Sequence, residues 1–127
     1  MQDLNQLQAY LRQFAKDRDW DQFHSPKNLS MALSVEVSEL LENFQWLTEE
    51  QSHTLDEQQR AAVADEIADV QMYLARLADK LDINIGEAIE QKIKKNEAKY
   101  PAELVKGSSK KYNQYDQDSS TNTESDK

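Results

Sequence analysis

At 127 residues the chain has room for one modest domain, and a net charge of −9 with a pI near 4.7 excludes a general binder of nucleic-acid polymers, which needs a basic surface. Zero cysteines exclude disulfides, thiolate zinc sites and cysteine nucleophiles together, and two histidines are too few for a His-rich metal centre. Two glycines and two prolines leave little material for hairpins or a phosphate-cradling loop, so the composition points to an all-α fold. No signal-peptide pattern and no apolar run of about 18 residues is present, which predicts a soluble, cytoplasmic protein with no membrane partner.

Leu4, Leu7, Leu11 and Phe14 recur at three- and four-residue steps and predict a first helix over 2–18, with Asp3 able to cap it. The connection DRDWDQFHSPKN carries Trp20, Phe23 and His24. These rings either pack onto the bundle or form one wall of a pocket, since flat rings suit a flat ligand. A second helix is expected from Lys27 or Asn28 to Leu47, capped by Ser25 or Asn28 with Pro26 near its start. Met31, Leu33, Val37, Leu40, Leu41, Phe44 and Leu47 are its expected buried surface. The polar stretch TEEQSHTLDEQQ reads as a connection with Thr54 as a plausible cap, leading into a third helix over 56–80. A fourth follows over 82–100, with Ile85, Ile89 and Ile93 as its stripe and Pro101 at its end. From Val105 onward aliphatic residues nearly vanish, so the expected domain is 1–104 and 105–127 is an expected disordered tail. The architecture predicted is a four-helix bundle-like protomer. A bundle this small leaves apolar flank exposed, which favours self-association.

Glu36 and Glu39 in SVEVSELLENFQW, and Glu66 and Asp69 in VADEIADVQMYLARLA, each project from one helical face, and in both cases that face is the apolar one. A solvated acidic face is the ordinary alternative, and ExxE is frequent in Glu-rich helices. Two such pairs in apolar stripes nevertheless call for a counter-charge. Four carboxylates together would repel unless some protonated or a cation joined them, and an oxygen-loving divalent ion such as Mg²⁺ fits that need. Asp65 is expected to face solvent, and Tyr73 lies one turn beyond Asp69, within reach of the same site. Lys92, Lys95, Asn96 and Lys99 step along one side of the fourth helix, either as a solvated face or as a basic row.

The ordered set RDWDQFH, ExxEL, FQW, ExxD followed by Tyr, and KxxxNxxxYP, spanning residues from about 10 to 101, resembles the MazG-like nucleotide pyrophosphohydrolases. The likeness is nearest to the dCTP pyrophosphatase branch of the all-α NTP pyrophosphatase superfamily. It implies Mg²⁺, with Mn²⁺ as a substitute, held by Glu36, Glu39, Glu66 and Asp69. Glu36 or Glu39 would serve as general base. It further implies Tyr73, Lys92, Asn96 and Lys99 near the phosphates, and Trp20, His24 and Trp46 around the base. The implied reaction hydrolyses a (d)NTP, dCTP or a modified dCTP, to the monophosphate and pyrophosphate in nucleotide-pool house-cleaning. The assembly implied is a homodimer or tetramer with sites near subunit interfaces. Two positions depart from the family pattern: Val35 replaces the first acid of the fuller motif, and Leu11 stands where the branch has a base-contacting histidine, which bears on base preference. The rival readings are a non-catalytic helical interaction module, or a dUTPase-like or phosphoribosyl-ATP pyrophosphohydrolase on the same scaffold.

Overall fold

The computed structural model describes residues 3–107, where every regular element is helical. In order these are α1 (Leu4–Asp17), a 3₁₀ turn (Asp21–Phe23), α2 (Pro26–Glu42), α3 (Glu49–Ser52), α4 (Glu57–Lys80), α5 (Ile85–Lys99) and α6 (Ala102–Val105). The expected tail, 105–127, lies outside the described residues except for Val105, Lys106 and Gly107, the first of which closes α6. The chain divides into two units, one ending at Ile85 and the other beginning at Gly86. Within the first unit α4 is the central element: α2 packs along it, and α1 packs beside it.

The helix ends follow from local chemistry. The Asp3 side chain accepts from the Gln6 N–H at 2.7 Å and starts α1, while the Ser25 side chain accepts from the Asn28 N–H at 3.1 Å and starts α2 with Pro26 in its first turn. At the C-termini of α1 and α4 the left-handed position is filled by Asp19 (φ 55°) and Asp82 (φ 54°). In each case the next residue's N–H reaches five residues back, Trp20 to the Ala15 carbonyl and Ile83 to the Ala78 carbonyl, both at 2.9 Å. Aspartate tolerates this conformation better than most L-residues, so a chain poor in glycine still turns sharply. The first of these turns folds Trp20 back onto α1.

Two boundaries differ from expectation. α2 ends at Glu42, not Leu47, because the Asn43 side-chain amide donates to the Glu39 carbonyl at 3.1 Å and to that of Leu40 at 3.5 Å. In a continuing helix the Phe44 N–H would take the Leu40 carbonyl; here it turns to that of Leu41 at 2.9 Å, and the chain tightens into successive turns through Leu47. Within the expected polar connection, Thr48 and Gln51 form a reciprocal capping box that nucleates α3. The cap of α4 is Asp56 rather than Thr54, again in a reciprocal box with Gln59. Asp56→Ala should therefore lower unfolding free energy by about 1 kcal/mol, measured as a shifted urea midpoint; an unchanged midpoint would show that the box adds nothing.

The core is small: Ala15, Leu29, Val63, Ala75 and Ala78 are buried, and Leu29 is its one large, fully buried side chain among the described residues. The α2 stripe is only partly covered. Leu33, Leu40, Phe44 and Leu47 are half-buried, whereas Met31, Val37 and Leu41, expected inside, are exposed on the single chain. The reason is geometric: α4 covers an arc of α2 narrower than its apolar face. No described helix is long and apolar enough to cross a membrane.

Candidate active site

The facing of α2 and α4 brings the two acidic pairs together. One carboxylate oxygen from each of Glu36, Glu39 and Glu66 lies within 4.8 Å of the others. The cluster does not extend to Asp69 at that distance, but Asp69 is near enough for its charge to act on both Glu36 and Glu66. Asp65 is exposed, as expected.

Glu36 Oε2 and Glu66 Oε2 are buried and have no hydrogen-bond partner. Two ionised carboxylates offer each other no hydrogen, so the cluster cannot satisfy itself without a bound proton or a cation. Burial raises the Glu36 pKa to about 7, helped by hydrogen bonding to Glu39 and Glu66 and by the charges of Glu39 and Asp69. Glu66 is raised too, by burial first, with the hydrogen bond from Glu36 opposing and the charges of Glu39 and Asp69 adding to it. The donor set is entirely hard oxygen. Opposite ligands in a Mg²⁺ octahedron are roughly 4 Å apart, a span that the cluster meets with little adjustment. The residues present fit a divalent cation.

One turn beyond Asp69 on α4, Tyr73 lines a pocket of about 430 Å³. Its walls are Tyr10, Leu11, Phe14 and Ala15 from α1, Trp20 and His24 from the connection, and Met72, Tyr73 and Arg76 from α4. Trp20 meets Phe14 edge-on with ring centroids 5.8 Å apart. The connection is pinned by the Asn28 side-chain amide donating to the Phe23 carbonyl at 3.1 Å. Of the expected base-contacting residues the structure thus groups Trp20 and His24. Trp46 is absent from this pocket and 87% exposed, in the turns after α2. Tyr73, expected beside the phosphates, lines the same pocket as Trp20. Lys92, Asn96 and Lys99 are exposed on α5, in the second unit.

The sequence reading missed Arg76. It is buried and donates to His24, Asp21 and Asp79, residues up to 55 positions away. The available signal was its position: three residues after Tyr73 and seven after Asp69 it shares their helical face, and a guanidinium on that face needs anionic partners.

The MazG-like family model matches residues 31–115. dCTP pyrophosphatase 1 from Mus musculus is 40% identical over 114 residues, covering 88% of this chain and 65% of that protein. The Homo sapiens protein of the same name matches to the same extent. The chain thus spans 65% of the length of these curated relatives. Among solved structures, a pyrophosphatase from Archaeoglobus fulgidus superposes with a TM-score of 0.72 at 44% identity, covering 76% of this chain and 91% of that one.

Proposed function

The chain belongs to the MazG-like family, and on that premise we propose that it is a Mg²⁺-dependent nucleoside triphosphate pyrophosphohydrolase acting on dCTP or a modified dCTP. The products are the nucleoside monophosphate and pyrophosphate, and the role is removal of surplus or non-standard nucleotides. The observation that carries this reading is the pair of buried, unpartnered oxygens on Glu36 and Glu66, gathered with Glu39 about two helical turns along α4 from an aromatic pocket. A helical interaction module has no use for such a pair, which costs stability when ionised unless a cation occupies it.

In this reading Glu36, Glu39 and Glu66 hold the ion, with Asp69 completing the set, and Mn²⁺ can substitute. A bound divalent ion supplies neutralisation of phosphate oxygens and a water of lowered pKa. Glu36 or Glu39 takes the proton of the attacking water, whose oxygen bonds to the α-phosphorus as the bond to the pyrophosphate oxygen breaks. Lys92 offers an ammonium to the departing phosphates, and Asn96, Lys99 and Tyr73 contribute further polar contacts. Trp20 and His24 enclose the base, with Trp46 as a third ring contributed from outside the pocket. The functional particle is a homodimer or tetramer, consistent with the apolar flank left on α2.

Pyrophosphate release from a dNTP panel, with Mg²⁺ and with chelator, tests the reading. Release from dCTP above the other nucleotides, only with the ion present, is the expected result. No release from any dNTP at saturating Mg²⁺ would overturn it.

A further inference from the structure

Arg76 is only 4% exposed, yet it forms part of the pocket wall. A guanidinium has five N–H donors. Here Nη1 donates to Asp79 Oδ2 at 3.0 Å, Nη2 to Asp21 Oδ1 at 2.5 Å, and Nε to His24 Nδ1 at 3.2 Å. Each aspartate is braced by a second cation: Arg12 lies 2.5 Å from Asp79 Oδ1, and Lys80 lies 2.7 Å from Asp21 Oδ1. The two carboxylates therefore fix the plane of the guanidinium and turn its Nε edge toward the histidine.

A ring nitrogen that accepts a hydrogen bond carries no proton. A neutral imidazole with Nδ1 so engaged must carry its proton on Nε2. Burial and the Arg76 charge also hold the His24 pKa below its usual value; Lys80 reinforces this and Asp21 opposes it. The second proton that would turn the ring into an acceptor-free cation is thereby disfavoured. Among the described residues no other polar partner claims the ring, so Nε2–H is its one donor for whatever fills the pocket.

We propose that Arg76 is a specificity-determining positioning residue, which by donating to His24 Nδ1 locks that ring as the Nε2–H tautomer and makes it a donor to the edge of the bound base. This rests on the reading of the pocket as the base site. A fixed donor aimed at N3 suits cytosine, whose N3 accepts. Uracil and thymine carry an N–H at N3, so a donor would face a donor there, whereas O2 accepts in all three bases and does not discriminate. With Arg76 absent, the ring can exchange tautomers and offer a bare nitrogen to either edge, and discrimination falls.

The chain has two histidines, so in a His53→Asn background one imidazole remains to be read by long-range ¹H–¹⁵N NMR of the full chain without nucleotide. The expected spectrum shows Nε2 protonated and Nδ1 bare, and Arg76→Gln should give a mixture of the two tautomers. A proton on Nδ1, or on both nitrogens, in the parent overturns the lock, as does an Arg76→Gln spectrum identical to the parent. The parent spectrum decides this even where Arg76→Gln does not fold. For selectivity, Arg76→Gln should lower the dCTP-to-dUTP ratio of kcat/KM by about tenfold, mainly through KM, as expected when a mismatched polar edge is no longer rejected. In a His24→Gln background the same substitution should leave that ratio unchanged, since no ring remains to lock. An equal effect in both backgrounds would make Arg76 merely structural and overturn the proposal. Absence of all dNTP turnover in the parent is the failure of the proposed activity and removes the selectivity claim with it, whereas the tautomer measurement stands apart from activity.

Discussion

Glu36→Gln should reduce turnover by at least about 100-fold, because a ligand to the ion should matter no less than the outer partners whose loss typically costs about 10–100-fold. In chelator at pH 8 the same variant should melt at or above the parent temperature. The two expectations have one cause. Glu36 Oε2 is buried without a partner, and its carboxyl is held at about 7 by burial first and by Glu39, Glu66 and Asp69 after it. A folded-state pKa above the unfolded value of 4.5 means that the folded chain binds this proton more tightly. The resulting stability is present in full below about pH 4.5 and is lost as pH rises through about 7. The metal-free parent should therefore melt at progressively lower temperature across that window, with Glu66 acting in the same direction. The amide of Glu36→Gln carries no titrating charge and should flatten much of the slope. Protons and Mg²⁺ compete for the same oxygens, so Mg²⁺ affinity should climb with pH through the same range. Melting curves at several pH values, with chelator and with Mg²⁺, read both effects. Parent-like turnover in the variant, or a metal-free melting temperature in the parent that does not fall with pH, would remove Glu36 from the cation site.

The acidic half of this site is legible in the sequence because it is a matter of helical phase. Glu36 and Glu39, like Glu66 and Asp69, occupy apolar faces, and two apolar faces in a small all-α chain must meet. The helix starts are equally local: Asp3 and Ser25 need only the backbone three residues on. What escapes such a reading depends on competition or on distance. The end of α2 turns on the Asn43 side-chain amide taking the Glu39 carbonyl and sharing that of Leu40 with its own backbone N–H, although Phe44 and Leu47 continue the apolar pattern past it. Arg76 and His24 are 52 residues apart, so no periodicity links them. The phosphate roles of Lys92, Asn96 and Lys99 came from resemblance, and α5 belongs to the second unit, so the first unit's geometry does not bear on them.

Trp20→Ala should raise KM for every accepted dNTP by about ten- to a hundred-fold while leaving their rank order in place. Stacking on an aromatic ring contributes on the order of 1–3 kcal/mol per base in single-strand binders, and every base has a face to stack. Trp20 is built for that part. The left-handed Asp19 sends it back toward α1, it lines the pocket with His24 and Tyr73, and Phe14 supports it edge-on. It also remains 47% exposed, so its truncation should destabilise the chain by less than the about 3–5 kcal/mol expected of a fully buried tryptophan. Base choice, by contrast, needs the hydrogen-bonding edge, which is why the ratios between nucleotides should survive here and shrink in Arg76→Gln. Trp46→Ala provides the comparison. At 87% exposure on the single chain it contributes little to the core, so any rise in KM on its removal reports a ring that reaches the base from outside this pocket. KM values across the dNTP panel, paired with thermal melts of both variants, separate these effects. A Trp20→Ala protein with unchanged KM values and a sharply lowered melting temperature would return Trp20 to a purely structural role.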